Sequence, residues 1–195
     1  MIHPNFVILG SLLNLFGASV YITQVIKGNV KPNRVSWLLW ALAPLIAFTA
    51  QIKQGVGISS LMTFTVGFCP LLVFLASFVN KKSVWKIGRL DIACGVLSLL
   101  ALVLWYITKI GNIAILFGII SDGLAAIPTI RKAFLYPETE NDIEFMMGWT
   151  NALITLLTIR TWNFQHFGFP VYILIVNLIL VTSIRFKLKK RFLNK

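Results

Sequence analysis

A chain of 195 residues that is 57% hydrophobic and 12% charged, with a mean hydropathy of +0.83, does not read as a soluble domain. Soluble domains are about 45–50% apolar and about 25% charged, so composition places this chain in lipid. The net charge of +12 is not a nucleic-acid signal, because the basic residues stand at the ends of apolar runs, where they direct membrane topology.

The apolar runs lie at 5–26, 35–52, 57–79, 88–108, 111–130, 143–160 and 168–184. A spanning helix needs about 20 mostly apolar residues. Inside lipid each backbone N–H and C=O must be paired within its own segment, so the runs predict seven transmembrane helices. The first run has no basic region before it and no small-residue cleavage site, and is read as a span, not a removable leader. Cys69 and Cys94 fall in different runs without metal-ligand spacing and are expected to be small core residues.

Lys27, Lys31 and Arg34 follow the first run, and Lys81, Lys82, Lys86 and Arg89 follow the third. Arg131 and Lys132 follow the fifth, and Arg185, Lys187, Lys189, Lys190, Arg191 and Lys195 follow the seventh. Only Lys53, Lys109 and Arg160 lie on the other side. The positive-inside rule then puts the N-terminus outside and the C-terminus in the cytoplasm. An odd number of spans agrees with that split.

The turn after the first run resembles the turn after the fifth. A shift of 105 lays Gln24 on Thr129, Lys27 on Lys132 and Pro32 on Pro137, and a shift of 108 then lays Asn33 on Asn141, Val35 on Ile143 and Trp37 on Phe145. The fourth run has no counterpart. The predicted organisation is a three-helix repeat at 1–80, a linker helix at 81–109, and a second three-helix repeat at 110–195 that ends in the basic tail. Parallel repeats of this kind are a transporter plan, with the site near midplane where the repeats meet.

On this layout and these turns the chain resembles the SWEET and PQ-loop membrane proteins. The Pro-Gln pair of that family is represented by Thr23-Gln24 in the first copy and Pro128-Thr129 in the second. The resemblance implies a three, one, three bundle with an outside N-terminus that works by alternating access. It implies Pro44 and Pro128 as helix hinges, Gln24 and Thr129 at the cytoplasmic gate, and Asn177 as a substrate contact in the last helix. Nicotinamide riboside carriers share the layout and use tryptophan at their sites, which makes Trp40 the matching candidate here. KDEL receptors are similar in architecture, so the alternative function is a non-transporting receptor or scaffold.

Among individual residues, Asp122 is the most informative, an acid in the middle of IAILFGIISDGLAAIPTI. A charge at the bilayer centre costs about 2.5–3.5 kcal/mol on insertion scales, so such a group belongs at a polar path and is a candidate for proton coupling or substrate contact. Asn14 shares one helix face with Gly10, Gly17, Tyr21 and Gln24, and Asn151 shares one with Gly148, Thr155 and Thr158. Trp37 is expected in the aromatic belt at headgroup level. Asn141 is expected to cap the sixth helix, with Glu144 at the capping-box position. No nucleophile–base set, phosphate loop or metal-spaced cluster stands in the sequence, so neither enzyme chemistry nor a cofactor is expected. The expectation is a small-molecule transporter for a sugar, vitamin, nucleoside or amino acid in a bacterial plasma membrane, with protons as a candidate coupling ion.

Overall fold

A computed structural model of the chain describes residues 2–108 and 111–187. Lys109 and most of the basic tail, from residue 188 on, lie outside the described residues. The described chain folds into seven α-helices: α1 (Phe6–Lys27), α2 (Arg34–Lys53), α3 (Ser60–Ala76), α4 (Arg89–Thr108), α5 (Gly111–Leu135), α6 (Asp142–Thr158) and α7 (Phe164–Arg185). Each falls on one predicted apolar run. Among the described residues, four stretches are long and apolar enough to cross a membrane: α1, α2, α3 with the 3₁₀ turn before it, and α7. With α6 at 17 residues and a rise of about 1.5 Å per residue, that helix is the shortest reach across the bundle, equalled by α3 without its leading turn.

The helices turn their apolar side chains outward. Leu12 and Phe16 on α1, Ile52 on α2, Leu75 on α3, Val96 on α4, Leu116 on α5, Leu157 on α6 and Ile175 on α7 are all exposed. Beside an apolar core that includes Tyr21, Trp37, Met62 and Phe169, the interior also holds polar groups, among them Asn14, Thr65, Asp122, Thr129 and Asn151. Water would penalise an apolar surface of this extent, and the arrangement is compatible with a protein embedded in a membrane.

The local signals that end and start the helices are legible in the two matching turns. Gly28 adopts a left-handed φ of 81°, and Asn29 N donates back to Gln24 O at 3.0 Å, which closes α1 with a Schellman-type cap. The Asn33 side chain then caps α2 by accepting from Val35 N at 3.1 Å. Asn141 caps α6 in the same way, accepting from Ile143 N at 3.0 Å. The sequence overlay of Asn33 on Asn141 is thus matched by the same cap on both helices.

Packing follows a regular pattern. Helix α3 packs against both α1 and α2, and α7 packs against both α5 and α6. Across the middle, α1 packs on α6 and α2 on α5. Exchanging α1 with α5, α2 with α6 and α3 with α7 maps these contacts onto themselves. Helix α4 stands outside the exchange, lying mainly along α5. Close approach across the middle depends on small residues: a Cβ on Gly17 of α1 would come within 2.8 Å of Met147 Cβ on α6.

Candidate binding cavity

A cavity of about 440 Å³, counted to its open mouth, lies where the two groups of three helices meet. Every helix except α4 contributes to its wall. That figure includes open space at the mouth; the room that the centre of a water-sized sphere can occupy is about 50 Å³. Each wall residue is placed by its helix period. Trp37 and Trp40 are three apart on α2, and Asp122 projects from the middle of α5. Glu144, Phe145 and Gly148 stand on the first turns of α6, and Asn177 is on α7.

Four of the sequence candidates, Asn14, Trp40, Asp122 and Asn177, line this cavity. Asp122 is buried, and its Oδ2 accepts from Tyr172 OH at 2.6 Å while Oδ1 has no protein partner. The Trp40 indole N–H donates to the backbone oxygen of Asp122 at 3.2 Å, which ties α2 to α5. Asn177 lies against Gly148, where a Cβ would come within 2.6 Å of its Nδ2. The fifth candidate, Asn151, is fully buried behind the wall. It donates to Thr65 Oγ1 at 3.2 Å and to Asn14 Oδ1 at 3.4 Å, and so holds Asn14 in place instead of facing the cavity.

Two expectations are corrected. Trp37 is 1% exposed, not a headgroup-belt residue. It packs on Tyr21 at 4.8 Å between ring centroids, on Trp40 at 5.3 Å and on Phe145 at 6.1 Å. It shares the inward face of α2 with Trp40 and Ala41, and that face meets α6, not lipid. Glu144 does not close a capping box. Its side chain turns inward, where Oε1 accepts from Asn14 Nδ2 at 3.3 Å and Oε2 has no protein partner. Gly17 leaves the room it occupies, since a Cβ there would stand 2.9 Å from Glu144 Oε2. The sequence offered one sign of this, an acid directly before Phe145, the residue laid over Trp37.

None of the gate and hinge candidates lines this cavity, and Pro128 borders a separate pocket beside the start of α4. Pro44 is buried inside α2 and Pro128 inside α5. Pro44 has no N–H for the carbonyl of Trp40 one turn earlier, and Pro70 of α3 likewise leaves the carbonyl of Val66 without its helical donor. Gln24 is engaged locally, its Oε1 accepting from Asn29 Nδ2 at 2.7 Å. Thr129 is buried with no partner for its hydroxyl.

The end of the bundle that carries the two matching turns is closed by other residues. Lys31 N donates to Thr139 O at 3.0 Å, so the turns touch through backbone. Lys132 pairs with Glu140 at 2.7 Å, both side chains being fully enclosed, and also donates to the Lys31 carbonyl. Tyr21 OH donates to the other oxygen of Glu140 at 2.6 Å. Sequence reading treated Lys132 as a topology charge and Glu140 as part of an acidic helix start. Their pairing eight residues apart, across a turn, was the available signal.

Comparison with protein-family models, with curated proteins and with solved structures returns no match for this chain.

Proposed function

We propose that this chain is a multi-pass membrane transporter for a small molecule, built from two parallel three-helix repeats, α1–α3 and α5–α7, joined by α4. The N-terminus faces outside and the C-terminus the cytoplasm, in keeping with the distribution of Lys and Arg. The membrane is a bacterial plasma membrane. The plan resembles that of SWEET and PQ-loop proteins.

The observation that carries this reading is a mostly apolar cavity with Asn14, Asp122, Glu144 and Asn177 in its wall, at the contact between two groups of helices whose main contacts map onto themselves on exchange. A dry seam of packed Gly and Ala in place of this cavity would have favoured the receptor or scaffold alternative. The two groups rock about the cavity, with Pro44 and Pro128 loosening α2 and α5. The lock formed by Tyr21, Lys132 and Glu140 holds the turn end shut in this conformation and must part for ligand to leave there. Asp122 is the group that carries a proton. The other titratable groups facing it are Tyr172 of α7, which donates to it, and Glu144 of α6, which lines the same cavity.

The test is thermal stabilisation of the purified protein by sugars, nucleosides, vitamins and amino acids, in mildly acidic and in neutral buffer. A ligand that binds only the folded form raises apparent stability by about 2.7 kcal/mol at a hundredfold excess over Kd. The expected result is a hit that weakens in Trp40→Ala and whose pH dependence changes in Asp122→Asn. Absence of any hit in either buffer, with folded protein, contradicts the proposal and favours the receptor or scaffold alternative.

A further inference from the structure

We propose that the ligand of the central cavity is a small organic cation, its positive group held between Asp122 and Glu144 against the rings of Trp37, Trp40 and Phe145. This rests on the reading of the cavity as a ligand site and adds to it the charge and chemical class of the ligand.

Among the described residues, the charged side chains lining the cavity are both acids, and no Lys, Arg or His stands among them. Both acids come from the second group of helices, Asp122 from α5, which packs on α2, and Glu144 from α6, which packs on α1. Each keeps one oxygen without a protein hydrogen-bond donor, although both residues are at least nine-tenths buried. The net charge is +12, yet among the described residues the buried cation, Lys132, pairs with Glu140, and neither of these two acids has a basic partner. A buried polar atom without a partner is costly, and an intramembrane acid without a counter-charge marks a functional site. A cationic N–H group supplies both the donor and the counter-charge that these acids lack, and a quaternary group supplies the counter-charge alone.

The rest of the wall fits the same ligand. Trp37, Trp40 and Phe145 form one ring cluster, with centroids 5.3–6.1 Å apart. Aromatic faces attract cations, tryptophan most strongly, and gain further when water is excluded. Pro44 and Pro70 release the carbonyls of Trp40 and Val66 from their helical bonds, which adds acceptors on two lining residues. Asn14 and Asn177 supply neutral amides that fit a polar substituent on the ligand. An anionic ligand would meet two acids and no base, and a neutral sugar would bring hydroxyl donors to the free oxygens but no positive charge.

The test compares shape-matched pairs that differ in charge: tryptamine with tryptophol, phenethylamine with phenethyl alcohol, and benzyltrimethylammonium with its uncharged carbon isostere. Each is titrated against the detergent-purified wild-type protein at neutral pH, with apparent melting temperature as readout. The expected result is that the cation of at least one pair stabilises the protein and its neutral partner does not. Glu144→Gln and Asp122→Asn, which keep shape and remove charge, should each weaken that cation by about tenfold or more, with the unliganded melting temperature confirming folded protein. If a variant does not fold, the wild-type pairs still decide. Equal stabilisation by neutral and charged partners, or unchanged cation affinity in both folded variants, overturns the inference. If the cations fail while an uncharged sugar or nucleoside stabilises the protein, the charge assignment falls and the cavity stands as a ligand site. If nothing of either charge binds, both fall.

Discussion

Lys132 and Glu140 show how much a single pair can decide in this molecule. Their side chains are 1% and 0% exposed, and the lysine also donates to Lys31 O, so removing one partner strands a charge in a dry site. Breaking such a pair costs about 3–5 kcal/mol, whereas replacing both partners with apolar groups is often close to neutral. We therefore expect Lys132→Met and Glu140→Gln each to lower the melting temperature in detergent strongly, and Lys132→Met with Glu140→Met together to recover most of the loss. Equal destabilisation by the single and double replacements would show that the pair does not act as a unit. Asp122, in the middle of a long apolar run, lies buried in the bundle. Residue-scale reading of the sequence located interior groups best where the apolar context was unambiguous. It failed at helix ends, where Trp37 and Glu144 each have an ordinary surface role as well as an interior one. Which role applies depends on the face the neighbouring helix presents, and one helix alone does not carry that information.

At the scale of elements, the apolar runs and their ends were legible because each rests on local chemistry. About 20 apolar residues make a helix in lipid, and Asn33 and Asn141 start α2 and α6 by capping their own backbone. The close contact of α1 with α6 was not legible, since a glycine in an apolar run serves equally as a packing seam or a filler. The structure separates these roles. Gly17 faces Met147 and Glu144 at less than 3 Å from an added Cβ, whereas Gly123 of α5 meets only the Tyr172 ring at 3.7 Å. Overpacking costs about 1–3 kcal/mol, so Gly17→Ala should lower the melting temperature and disturb the Glu144 contact with Asn14. Gly123→Ala should leave stability unchanged or raise it slightly, because alanine favours the helix by about 1 kcal/mol over glycine. The reverse order of the two variants would contradict the packing described for α1 and α6.

For the whole molecule, the repeat in the two turns indicated which helices correspond, but not how they meet. The arrangement of α3 between α1 and α2, and of α7 between α5 and α6, arises from long-range contacts that no local pattern encodes. The site shares this limit. Its members come from six helices, and only those with unusual chemistry for their run were visible beforehand. Central to the account is that this cavity serves alternating access between the two sides of a membrane. The most direct measurement is labelling of Asn177→Cys, in a background with Cys69 and Cys94 replaced, by a membrane-impermeant maleimide added to right-side-out and to inside-out vesicles. Asn177 lines the cavity, and both native cysteines are buried. The account predicts labelling from both faces, in proportions that a bound ligand shifts. Labelling confined to one face, whatever ligand is present, would contradict it.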